Sequence, residues 1–134
     1  MRRVPSFEDV LGPLEAAIVR VLSERGEGGV GDVVEALRRA QRKEHAYTTI
    51  MTVMWRLYEK GMLTRFRRGR QYIYRPVATE DELIDRLSAQ AVDRLVERYG
   101  TAALRHFAVR LADLDPEMRE RLTSLAQQPR DEQQ

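Results

Sequence analysis

Apolar residues recur along the first part of the chain at the three- and four-residue spacings of a helix that buries one side. Leu14, Ala17, Ile18, Val21 and Leu22 make the first such stripe. Pro13 stands in the first helical turn, where a missing N–H costs nothing, and Gly26, Gly28 and Gly29 end the element. Val30 is placed for a brief strand pairing. Gly31-Asp32 then opens a second helix with Val33, Val34 and Leu37 inward. The polar run Gln41-Arg42-Lys43-Glu44-His45 interrupts the pattern as a turn. A third helix follows from Ala46, with Ile50, Val53, Met54 and Leu57 on its buried side and Gly61 placed to end it.

From Leu63 the period shortens to that of a strand. Leu63–Arg67 and Arg70–Arg75 predict a hairpin around Arg68-Gly69, with Tyr72 and Tyr74 on one face and Gln71, Ile73 and Arg75 on the other. Pro76 stops the second strand. The helical period then returns three times. Thr79 and Glu82 have capping-box spacing, and the helix they open carries Leu83, Ile84, Leu87, Ala91, Leu95 and Tyr99 up to Gly100. Thr101 is placed to cap the next helix, which carries Ala103, Leu104, Phe107, Ala108 and Leu111. Asp115-Pro116 is an N-cap followed by a first-turn proline, ahead of Met118, Leu122 and Leu125.

The predicted fold class is mainly α. A winged helix-turn-helix domain (three helices plus a β-hairpin wing) spans residues 13–77, and a helical region spans 78–127. Residues 1–12 are expected as a loosely held tail and 128–134 as a polar, disordered one. Some fifty residues of amphipathic helix are too few to bury their own apolar faces. The simplest cover is a second copy, so Ile84, Leu87, Ala91, Leu95, Leu104, Phe107, Leu111 and Leu122 are expected to form a dimerisation surface. Folding back onto the winged domain is the alternative.

The outer face of the third helix is unusual. Thr48, Thr52, Trp55 and Glu59 fall opposite the buried stripe, flanked by Thr49 and Arg56. Short hydroxylic side chains at the N-terminal end of an exposed helix suit a nucleic-acid groove, although incidental surface threonines would look the same. Charge changes the balance. From Arg38 to Arg75 there are eleven basic and two acidic residues, a net +9 in a chain whose total is +2, so the remainder carries −7. Most of these cations have no acidic neighbour three or four residues away. A basic middle between acidic ends is the electrostatic footprint of a DNA surface.

Other classes recede. Without cysteine there are no disulfides or thiolate metal sites. No apolar run approaches the ~20 residues that span a bilayer, and the N-terminus lacks the apolar core of a signal peptide. A cytoplasmic protein without membrane insertion is expected. His45 and His106 are far apart and lack carboxylate partners, so no metal is expected, and no cofactor. No glycine-rich phosphate loop or nucleophile–base pairing points to an enzyme. A winged helix used only for protein–protein contact remains the alternative, and the basic segment argues against it.

Leu11-Gly-Pro-Leu-Glu15, the run from Ala46 to Leu63 with its Tyr-Thr-Thr-x-x-Thr-x-x-x-Arg-Leu pattern over Tyr47–Leu57, and Arg70–Pro76 together carry a family resemblance. Over roughly residues 11 to 125 the chain resembles the penicillinase-repressor (BlaI/MecI) family of bacterial transcriptional repressors. The resemblance implies a homodimer that binds a pseudo-palindromic operator in double-stranded DNA, often controlling β-lactam-response genes. It also implies release when a membrane-bound sensor metalloprotease cuts the C-terminal region. Family members are cut at Asn-Phe; the matching residues here are His106-Phe107, where Phe agrees and Asn does not. The copper-responsive branch, which uses a Cys-x-Cys pair, is excluded.

The same resemblance puts Lys43, Tyr47, Thr48, Thr49, Met51, Thr52, Arg56, Arg68 and Arg70 at the DNA. Threonine can bond base edges or phosphates, and its methyl, like Met51, can touch a thymine methyl. Arg56 is expected to pair with phosphate, as is Lys43 just before the helix. Arg68 and Arg70, at the hairpin tip, would follow the backbone or enter the minor groove. Thr48, Thr49 and Met51 are therefore expected to influence specificity, and the arginines affinity and its salt dependence. Thr48 and Thr49 can also serve as helix caps. Trp55 is expected to pack against the hairpin.

Overall fold

The computed structural model describes residues 5–41 and 44–128. Lys43, the C-terminal tail from residue 129 and the first four residues lie outside that range. The chain divides into two units, the first ending at Ala89 and the second beginning at Gln90.

The first unit contains α1 (Phe7–Val10), α2 (Pro13–Arg25), α3 (Val30–Gln41), α4 (Tyr47–Glu59), β1 (Leu63–Arg68), β2 (Gln71–Pro76) and the start of α5 (Glu80–Tyr99). Pro13 occupies the first turn of α2, and Gly26 ends it by donating to the Leu22 carbonyl at 2.8 Å. At the end of α4, Gly61 has φ +82°, a conformation that a Cβ would disfavour. Its N–H bonds the Tyr58 carbonyl, and the Met62 N–H bonds that of Leu57 at 3.0 Å. Leu57 and Met62 are both buried, so the capping bonds and an apolar contact close the helix together. The strands pair antiparallel, with Leu63 opposite Pro76 and Arg68 opposite Gln71, around a turn at Gly69-Arg70.

One core joins these elements. Ile18 and Leu22 of α2, Val33 and Leu37 of α3, and Ile50, Met54 and Leu57 of α4 meet Leu63 and Tyr74 from the hairpin. The buried side of α2 is wider than its sequence stripe: Ala16 and Val19 are fully covered, while Leu14, Ala17 and Val21 are only partly so. Elements pack on α2 from several directions, namely α1, α3, α4 and β2.

Several expectations are corrected. The first twelve residues are not simply a loose tail, because Phe7 is fully buried in the core and its N–H donates to Glu80 Oε2 at 3.0 Å. Arg20 makes a bidentate pair with Glu80 at 2.7 and 2.8 Å, bonds Glu8 at 2.7 Å, and lies 5.0 Å from the Phe7 ring centroid. Val30 begins α3 instead of pairing as a strand. The pairing falls at Gly28, which exchanges two backbone bonds with Tyr74 at 2.9 and 3.0 Å. Gly29 sits so close to the hairpin that a Cβ there would lie 3.0 Å from Gln71 Oε1. On β2, Ile73 and Tyr74 are both buried although they point to opposite faces. The expected domain break at 77/78 falls too early. Leu83 and Ile84 of α5 are part of the first unit's core, and Leu87 packs against it.

The second unit comprises the rest of α5, α6 (Thr101–Ala112) and α7 (Pro116–Gln127). Gly100, not Thr101, is the N-cap of α6. Asp115 caps α7 as its sequence predicts, accepting from the Met118 N–H at 2.8 Å. Thr79 and Glu82 form the reciprocal capping bonds at the head of α5, back in the first unit. No described residue after Ile84 is buried.

Candidate nucleic-acid interface

α4 places Ile50, Met54 and Leu57 in the core, which turns Tyr47, Thr48, Thr49, Met51, Thr52, Trp55 and Arg56 outward, all of them exposed. The hydroxyls of Thr48 and Thr49 have no hydrogen-bond partner among the described residues. That of Thr52 donates to the Thr48 carbonyl at 2.9 Å, so its oxygen remains free only to accept. The N-cap is Ala46 and no side chain caps the helix, so Thr48 and Thr49 do not serve as caps. The first-turn N–H groups leave a partial positive charge beside the threonines. Trp55 keeps 44% of its surface exposed; the α4 ring that meets Arg65 of the hairpin is that of Tyr58.

The hairpin sorts its arginines by strand face. On one face, the Arg65 guanidinium lies between two aromatic rings, 4.3 Å from the Tyr58 centroid and 4.0 Å from that of Tyr72. Arg65 also donates to the Tyr74 hydroxyl at 3.3 Å, which raises its pKa further above the arginine range. On the other face, Arg68 and Arg75 both lie over the Phe66 ring and both bond Glu27, at 2.9 and 2.8 Å. These two guanidiniums, Arg75 first, hold the Glu27 carboxyl below its ordinary range. Elsewhere Arg38 and Arg39 pair with Glu35, and Lys60 with Glu15 at 3.0 Å. The basic segment is therefore less free than its sequence implies, because its acidic partners come from outside it. Arg56, Arg67 and Arg70 carry no ion pair among the described residues.

A family model for penicillinase repressors matches residues 11–128. The chain belongs to the penicillinase repressor family. It is 40% identical over 119 residues to the transcriptional regulator BlaI of Mycobacterium tuberculosis, in strains CDC 1551 / Oshkosh and ATCC 25618 / H37Rv, covering 86% of this chain and 84% of the relative. Among solved structures, the DNA-binding domain of the repressor BlaI aligns with a TM-score of 0.47 and 23% identity, over 61% of this chain and 93% of that one. A MarR family protein from Bacillus stearothermophilus aligns with a TM-score of 0.46 and 17% identity, over 87% and 74%. The chain is a DNA-binding transcriptional repressor and not an enzyme.

Within the repressor, the sequence-predicted DNA residues Tyr47, Thr48, Thr49, Met51, Thr52 and Arg56 share the outward side of α4, and Arg70 stands in the turn of the wing. Arg68 is diverted to Glu27. Ile84 is not available to a partner chain, since the first unit already buries it, and Leu87 is half-buried there. Ala91, Leu95, Leu104, Phe107 and Leu111 are exposed, while Leu122 is half-buried. His106 and Phe107 lie inside α6, both exposed. Sequence reasoning missed Glu27. Its only signal was an acidic residue amid the glycines of a loop, which says nothing of two arginines 41 and 48 residues further on. No helix among the described residues is long and apolar enough to cross a membrane.

Proposed function

We propose that the repressor works as a homodimer, with two copies of α4 entering successive major-groove turns of a pseudo-palindromic operator. The observation that carries this reading is the outer side of α4. It combines uncapped first-turn N–H groups, two unpartnered threonine hydroxyls, an exposed Met51 and an arginine without an ion pair. In this reading Thr48, Thr49 and Met51 touch base edges. Arg56, Arg70 and Lys43 neutralise phosphates and fix register without reading sequence.

The dimer rests on the second unit. Val92, Leu95, Tyr99, Leu104, Phe107, Val109, Leu111 and Leu125 are each between 41% and 55% exposed. Such a set is more apolar than a small soluble unit normally leaves to water, and a second copy covers it. The compartment is the cytoplasm, and the regulated genes belong to the β-lactam response or a related one. For release we infer cutting of α6 by a membrane-bound sensor metalloprotease, with His106-Phe107 as the candidate bond. Proteases bind extended peptide, so that bond must first leave its helix, and Phe107 must leave the dimer interface with it.

The test is retention of genomic fragments by the full chain, followed by binding titrations against salt. Affinity should fall steeply as salt rises. Arg70→Ala should weaken all duplexes about equally, whereas Thr49→Ala should re-rank the retained fragments. Absence of binding at low salt would sink the reading, and equal loss on every fragment for Thr49→Ala would remove its assigned role.

A further inference from the structure

We propose that Glu27 is an internal substitute for DNA phosphate, occupying the wing cations Arg68 and Arg75 until a well-placed duplex displaces it, and so depressing affinity for non-operator DNA. This rests on the proposed reading of an operator by α4 but not on the dimer.

One carboxylate serves two guanidiniums from different strands: Oε2 receives Arg68 Nη1 at 2.9 Å, and Oε1 receives Arg75 Nη2 at 2.8 Å and Nε at 2.9 Å. The charge-assisted geometry is that of an arginine–phosphate contact. Strand alternation puts Arg68, Phe66 and Arg75 on one face of the hairpin, with both guanidiniums over the Phe66 ring. The arginine side chains remain 58% and 52% exposed, whereas that of Glu27 is 30% exposed, so a phosphate can approach the guanidiniums from the solvent side. Glu27 is itself anchored. The next residue, Gly28, makes the two backbone bonds to Tyr74, which keeps the carboxylate beside the wing.

The consequence is thermodynamic. A cation already neutralised inside the protein releases fewer counterions on meeting DNA, so its share of the sequence-independent attraction shrinks. Exposed ion pairs are weak enough to exchange, and a phosphate held in register by α4 can win the exchange. A phosphate on a random duplex, with no such register, competes poorly. Glu27 thus removes background binding more than operator binding.

The experiment uses full-length protein, a random-sequence duplex and a genomic fragment retained by the native chain. On the random duplex, Glu27→Gln should bind about three- to tenfold more tightly at ~0.1 M salt, with the log–log salt slope steeper by about one phosphate equivalent. The gain on the retained fragment should be smaller. Arg68→Ala should cost little in the native background and more in the Glu27→Gln background, so the double variant loses most of the gain. Glu27→Asp, too short to span both guanidiniums, should shift affinity the same way by less, and serves if Glu27→Gln loses its native circular dichroism. Unchanged or weaker random-duplex binding by both Glu27 variants would overturn the proposal. So would a gain that survives Arg68→Ala in full, which would mark a general charge effect. Failure of the native chain to bind either duplex at low salt would instead strike at DNA binding itself.

Discussion

Replacing Arg65 separates a structural cation from a phosphate-binding one. By sequence Arg65 is one of the eleven cations in the basic segment. In the structure it is a rivet between α4 and the wing. Its guanidinium carbon is 4.3 and 4.0 Å from the Tyr58 and Tyr72 centroids, and Nη1 reaches the buried Tyr74 hydroxyl at 3.3 Å. Each cation–π contact contributes ~0.5–1 kcal/mol at a partly exposed site. The hydrogen bond, long and to a neutral group, adds ~0.5–1 kcal/mol. Arg65→Ala should therefore lose about 2 kcal/mol. In urea, followed by circular dichroism at one fixed protein concentration, the midpoint should drop by roughly 1 M. Arg65→Lys, which keeps the charge but not the planar fork, should lose most of the same amount. The salt slope for a random duplex should stay as in the native chain, whereas Arg70→Ala should flatten it by about 0.9. A stable Arg65→Ala protein with a flattened slope would refute the assignment and make Arg65 a DNA contact.

Three further outcomes follow from the packing and the ion pairs. Phe7 is fully buried, so Phe7→Ala should cost ~3–5 kcal/mol by urea denaturation, while the exposed neighbour change Val10→Ala should cost little; a loss for Phe7→Ala under about 1 kcal/mol would mean that the N-terminal segment is not part of the core. The Arg20 hydrogen bonds hold the Glu80 carboxyl below its ordinary value of 4.5. Its folded pKa is depressed, so this stabilisation is present above 4.5 and is lost as pH falls through the folded value. Glu80→Gln should flatten stability against pH in that acid range, and an unaltered profile would contradict the pairing. Leu104→Glu, on the exposed side of α6, should lower the mass measured by light scattering to that of a monomer; a persisting dimer would move the interface elsewhere.

What was legible in the sequence was periodic or local. The buried stripe of α4, the stop at Gly61, the capping box at Thr79 and the cap at Asp115 all depend on residues within a turn or two of one another. Position along the chain therefore reveals them. The departures are long-range. Phe7 looked idle because its partners, Arg20 and Glu80, lie 13 and 73 residues away. Ile84 looked like interface because an apolar stripe does not say which neighbour covers it. In the wing, counting charges could not tell the stacked Arg65 from Arg70, which pairs with no described residue, or reveal that Glu27 occupies Arg68. The outward side of α4 was readable because helical spacing and residue type pointed the same way.

The tie from the Phe7 N–H to Glu80, with Leu83 and Ile84 filling the same core, bears on synthesis. Chains emerge from the ribosome amino end first, at ~5–20 residues per second. A nascent chain that has just released the second wing strand has the whole of α4 but still lacks the carboxylate that receives Phe7 and the side chains that complete the core. Contacts between distant residues form late and slow folding. The first unit thus cannot finish before the first turns of α5 have been made, and a nascent chain arrested at Pro76 should be open to protease at its amino end.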